Sequence, residues 1–138
     1  MKRTDILEVT ARKLAPFILL FGCYVIAYGH LSPGGGFQGG VVLASGVILL
    51  ALCQGVEPIQ RLFPSRTASL TETLGFLCFL VFGLIGLAIS GYFLFNFFPV
   101  SNVEKTANAG FIFALNMIIG LKVGAGMILI CFYLIWEE

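Results

Sequence analysis

Charge is what this sequence has least of. Asp, Glu, Lys and Arg make up 11% of its 138 residues, where an ordinary soluble domain carries about a quarter. Hydrophobic residues account for 59% and the mean hydropathy is +1.01, so no water-facing surface of the usual kind can be assembled from it. The formal net charge of +1 supplies neither a basic footprint for nucleic acid nor an acidic tail. Pairs of cysteines at metal or redox spacing are missing too. Cys23, Cys53, Cys78 and Cys131 fall one to each apolar segment, a pattern of small buried packing residues rather than of a zinc site or disulfide framework. The sequence contains no Ser/His/Asp set, no metal-ligand cluster and no phosphate loop. It therefore offers no machinery for autonomous catalysis, and neither a metal nor a cofactor is expected. Without an internal repeat, a low-complexity tract or a linker, residues 1–138 read as a single domain.

What is present is four apolar runs, at about residues 14–31, 37–53, 74–98 and 110–136. Each is long enough, or nearly so, to cross a hydrocarbon core, which takes about 20 helical residues. A bilayer offers no water to open backbone groups, so the runs must be helices and the fold all-α, a bundle of four transmembrane helices. Lys2, Arg3, Arg12 and Lys13 before the first run imitate a signal peptide, but three further apolar segments favour a retained first span. Pro16 suits an early helical position. Ser69-x-x-Glu72 and Ser101-x-x-Glu104 have the capping-box spacing and mark starts for the third and fourth helices. A fourth helix unbroken from Asn102 to Trp136 would be about 50 Å long, which predicts a bend near Asn108-Ala109-Gly110 or an interfacial leader. Lys and Arg are concentrated before the first run and between the second and third. The positive-inside rule then puts both termini of this multi-pass chain in the cytoplasm. Val56, Ile59, Leu62 and Phe63 can form the apolar face of a short helical turn lying on the membrane surface.

The connection between the first two runs, His30-Leu-Ser-Pro-Gly-Gly-Gly-Phe-Gln-Gly-Gly40, is unusual. Pro33 stops one helix and Gly34 and Gly35 allow a rapid reversal. Gly34-x-Gly36-x-x-Gly39 matches a dinucleotide fingerprint only formally, because no strand precedes it. Close helix packing is the better reading. Gly36, Gly40 and Ala44 recur every four residues and open a groove for another backbone, with Gly35 and Gly39 repeating the spacing beside it. Gly83, Gly86 and Gly91, and Gly120, Gly124 and Gly126, extend the pattern to the third and fourth helices.

Lys122 stands about 18 Å into the fourth run if that helix begins at Gly110. An ammonium at that depth costs about 2.5–3.5 kcal/mol on insertion scales, so it needs a partner, a wet cavity or loss of its proton, unless it snorkels to the outer interface. The carboxylates of Glu57, Glu72, Glu104, Glu137 and Glu138 read as lying at helix ends or in loops, which directs the search for a partner to another subunit or to water. Asn116, at a similar level, is expected with Lys122 in an ion path or as a hydrogen-bonding contact across helices. His30, the one histidine, suits a proton relay at the mouth of a path or a polar anchor at the interface.

Ser32-Pro-Gly-Gly-Gly-Phe-Gln-Gly-Gly40 after the first apolar run, together with Asn116-Met-Ile-Ile-Gly-Leu-Lys-Val-Gly-Ala-Gly126 in the last, resembles the B subunit of multisubunit Mrp-type, or Mnh, sodium/proton antiporters. Length, the number of runs and the motif positions agree across nearly the whole chain. The resemblance implies a small, non-enzymatic accessory subunit beside large complex-I-like antiporter subunits, with sodium and protons as the transported ions. Related subunits occur in membrane-bound hydrogenases and sulfur reductases, where ferredoxin oxidation drives ion pumping. Ion-path interest therefore falls on the Pro33–Gly40 turn and the Gly120–Gly126 segment. A purely structural assembly subunit and a self-sufficient homo-oligomeric channel remain as rival expectations.

Overall fold

The computed structural model describes residues 5–29, 31, 34–95 and 106–136, with side chains of the last helix described over 110–135. His30, Ser32, Pro33 and the second capping box lie outside those residues. Among the described residues the chain is all-helical: α1 (Asp5–Ala27), α2 (Gly36–Gln54), α3 (Val56–Leu62), α4 (Ser65–Ser90) and α5 (Thr106–Trp136). Four of the helices are long and apolar enough to span a membrane.

The helices outrun the apolar stretches at their polar ends, because a helix can continue into an interfacial zone where charged side chains are solvated. α1 starts at Asp5, with Asp5 and Glu8 in its first turn, where carboxylates face the positive end of the helix dipole. Glu8 also accepts a 3.0 Å hydrogen bond from Arg12 one turn on. Pro16 is consequently an interior residue of α1, not an early one, and it lacks the N–H that would reach the Arg12 carbonyl. α4 begins at Ser65 behind Pro64. Ser69 and Glu72 are thus inside the helix, and the capping box marks no helix start. α4 closes on Gly91, whose left-handed backbone (φ 77°) lets its N–H bond to the Leu87 carbonyl. The chain then turns back so that the Phe93 ring lies against Gly83 and the backbone at Phe95 lies against Gly86. α5 is continuous through Gly110.

Packing order in the bundle is α1, α2, α5, α4. α2 is the inner helix, with 44% of its apolar window buried, against 11% for α4. Two glycine faces explain its position. Gly36 and Gly40 lie against α5: a Cβ at either would come within 2.5 Å of a backbone oxygen, that of Asn116 or that of Gly120. Gly39 and Gly46 face α1, at Ile26 and Leu19 respectively. With no side chain between them, the backbones approach closely, and dispersion and lipid release hold the seam. At the end of the bundle that carries α3, the apolar face expected over 56–63 contributes Ile59 (1% exposed) to a cluster with Ala44, Val47, Ala51, Ile128 and Phe132. α4 packs on α5 and makes no comparable contact with any other helix.

Candidate functional site

The α4–α5 seam carries the charge. Lys122 falls near the middle of the Gly110–Ile135 span, half-buried, with its stem laid over Gly75: a Cβ there would sit 2.9 Å from the Lys122 Cβ. Its Nζ stands 5.5 Å from the centroid of the Phe76 ring, within the reach at which an aromatic face attracts a cation. One helical turn along each strand of the seam the arrangement repeats in reverse. Glu72 of α4 lies over Gly126 of α5, whose added Cβ would be 3.4 Å from Glu72 Oε1. Each charged side chain is therefore accommodated by a glycine of the opposing helix. Lys122, Glu72, Thr73 and Phe76 line one pocket of about 360 Å³. The sequence places Glu72 at a helix end; the early start of α4 instead brings it to the lysine's own neighbourhood. No direct ion pair joins the two among the described residues, where Arg12–Glu8 is the one ion pair.

Asn116 lies on a different face of α5. Its backbone oxygen opposes Gly36, and its Nδ2 would stand 3.0 Å from a Cβ at Gly29. That Nδ2 is buried with no hydrogen-bond partner. Asn116 is thus part of the contact between α5 and the α1–α2 turn, and the structure does not bring it together with Lys122. His30 and Pro33 fall outside the described residues. Gly34 has an open backbone (φ 140°), and Gly35 faces Gln38 and Asn116. Gly120 lies under Ile26 and against the Gly36 carbonyl, and Gly124 against the Gly40 carbonyl. Among the described residues no group of three or more His, Cys, Asp or Glu could hold a metal ion.

Gly75 and Glu72 are the site residues that the sequence hides. Gly75 belongs to no small-residue repeat, and only the antiparallel register of α4 and α5 reveals what it faces. A second groove, apolar and about 300 Å³, lies between α2 and α4 over Gly120 and Gly124, with Leu62, Phe63 and Pro64 at one end.

Residues 6–129 match the model of a family described as a domain related to the MnhB subunit of the Na+/H+ antiporter. An uncharacterized protein of Methanocaldococcus jannaschii is 34% identical over 142 aligned positions, which take in 98% of this chain and 53% of that protein. A Staphylococcus aureus protein with the provisional name antiporter subunit mnhB2 is 46% identical over 65 residues, 46% of each chain. Among solved structures, a chain of the membrane-bound sulfane sulfur reductase, an archaeal respiratory membrane complex, superposes with a TM-score of 0.78 at 36% identity, covering 95% of this chain and 58% of that one. The chain thus spans about half the length of the relatives it matches.

Proposed function

The chain belongs to the family of domains related to the MnhB subunit of Na+/H+ antiporters, and from that premise we propose that it is a non-catalytic subunit of a multisubunit monovalent cation/proton antiporter, packed against antiporter subunits and contributing to their ion path. It is a multi-pass membrane protein by its four apolar helices and its family. The distribution of Lys and Arg favours cytoplasmic termini, and the resemblance to antiporter subunits favours the plasma membrane. The observation that carries the reading is Lys122, a half-buried ammonium near the centre of a spanning helix. Ionisable residues at that depth are expensive, and they mark ion paths by default. α4, with most of its surface uncovered by this chain, offers a face on which a large neighbour can pack.

The test is Lys122→Met in the complete complex, assayed for assembly on native gels and for sodium/proton exchange in everted vesicles. Assembly should persist while exchange is largely lost. Wild-type exchange by an assembled variant complex would leave a structural role alone.

One observation favours a second host. A chain of the sulfane sulfur reductase complex superposes on 95% of this sequence at 36% identity. In that setting the same subunit serves a redox-driven pump, and iron with acid-labile sulfide would copurify with it. Their absence from the purified complex would assign it to a pure antiporter.

A further inference from the structure

The groove between α2 and α4 is a trough with two unlike ends. Gly124 and Ala125 of α5 form its floor, Leu43 and Val47 of α2 wall one side, and Ala68 and Thr71 of α4 wall the other. No charged residue lines it, and the Thr71 hydroxyl is turned back onto its own helix, donating to the Thr67 carbonyl 2.9 Å away. An occupant of the trough is therefore apolar. From Ile128 to Gly120 the floor runs about 12 Å at the helical rise, so a volume of about 300 Å³ leaves a cross-section of about 25 Å². A helix about 10 Å in diameter takes about 80 Å². A single hydrocarbon chain fits the trough and a neighbouring helix does not.

The end beside α3 has a different chemistry. Leu62 and Phe63 line it and remain 70% and 40% exposed. Arg61 adjoins Leu62, and Arg66 adjoins Thr67, which lines the same end. Both arginines are exposed. The one ion pair among the described residues is Arg12–Glu8, so neither arginine is paired, and neither is Glu57, one turn before Arg61 on α3. Two free guanidiniums, each a planar fork of donors matched to phosphate oxygens, thus flank the mouth of an apolar trough. Holding a loop on one side of a membrane asks only for positive charge; it does not ask for a trough that opens beside that charge.

We propose that this trough binds an anionic membrane phospholipid, with one acyl chain lying between α2 and α4 and the headgroup phosphate held by Arg61 and Arg66. The chain fills the gap that the two helices leave between them, and the lipid covers Leu62 and Phe63. Arginines at a membrane surface select anionic over zwitterionic headgroups. The site is independent of the ion path, since Lys122 and Glu72 line a separate pocket.

The experiment uses the complete complex with the photoreactive residue p-benzoylphenylalanine in place of Phe63, an aromatic exchange at an exposed position. It is reconstituted into vesicles of equal parts phosphatidylglycerol and phosphatidylcholine with the same acyl chains. After irradiation, the mass of this chain identifies what lay at the mouth of the trough. Phosphatidylglycerol adducts should exceed phosphatidylcholine adducts by at least about fivefold, the effect of one arginine at a membrane surface. Arg61→Gln/Arg66→Gln should bring the two to parity. The same photoreactive residue in place of Leu121, which lines the trough near mid-span and is 49% exposed, should capture the lipid through its acyl chain with the same preference. Bulk lipid carries no headgroup preference to that depth. Equal capture of the two lipids at position 63 overturns the site without recourse to the arginine variant. An adduct with a peptide of another subunit overturns it in favour of a protein neighbour. A preference that survives loss of both arginines overturns the assignment of the headgroup, and equal capture at position 121 overturns that of the acyl chain.

Discussion

Substituting Gly40 tests the two-faced packing of α2 most directly. A Cβ at this position would lie 2.5 Å from the Gly120 carbonyl oxygen, 3.0 Å from the Val123 Cβ and 3.1 Å from the Gly124 amide nitrogen. Two of those three atoms are backbone and cannot rotate aside. Ordinary contact requires about 3.5 Å, so even alanine must part α2 from α5 by about 1 Å, a gap that forfeits a quarter to a half of each dispersion contact along the seam. Overpacking of this kind costs about 1–3 kcal/mol for one methyl group, and Gly40→Leu should prevent folding of the subunit altogether. Gly110, also on α5, has nothing within 4 Å of an added Cβ; there alanine should gain about 0.5–1 kcal/mol from helix propensity. The assay is thermal unfolding of the purified complex in detergent, followed by size-exclusion fluorescence. Gly40→Ala should melt well below wild type and Gly110→Ala at or above it. Equal melting of Gly40→Ala and wild type, or equal damage from the two alanines, would refute the close approach of α2 and α5.

Three further outcomes follow from the packing. Ile59→Ala empties a site that is 1% exposed in the cluster under α3, and should lower stability by about 2–5 kcal/mol in the same melt. Asn116→Leu removes a buried amide nitrogen that has no partner while keeping a branched side chain of similar shape; stability should hold or rise by up to about 1 kcal/mol, and a marked loss would reveal a partner for that nitrogen. Arg12→Ala breaks an ion pair whose side chains are 67% and 36% exposed, and should shift stability by less than about 0.5 kcal/mol, measured at low and high salt.

The four spans, the helical class and the small-residue contacts of α2 are legible in the sequence because each rests on a local signal: a run length, or a four-residue repeat. The short helix over 56–63 is legible for the same reason. Helix starts are not. The apolar runs give the hydrocarbon depth, while α1 and α4 begin at Asp5 and Ser65, among polar side chains that no hydropathy window includes. That extension moves Pro16 and Glu72 from helix ends to helix interiors. The pairing of Lys122 with Gly75, and of Glu72 with Gly126, depends on the register between α4 and α5. Register is set by the length and path of the connection that follows Gly91 and by contacts along the whole seam, and no local pattern encodes it. Asn116 illustrates the converse: six residues from Lys122 along one helix, it lies on a different face, so nearness in sequence is not nearness in space.

The lopsided order of the bundle bears on how this gene should change over time. α2 is hemmed in by two backbones at once, so its small residues admit almost no replacement, whatever else the organism assembles. α4 borders a single helix of its own chain, and the proposed neighbouring subunit would pack on the circumference that this chain leaves uncovered. Substitutions there should travel in pairs with substitutions in another gene, and the gene that supplies the matching partner in each pair is the neighbour.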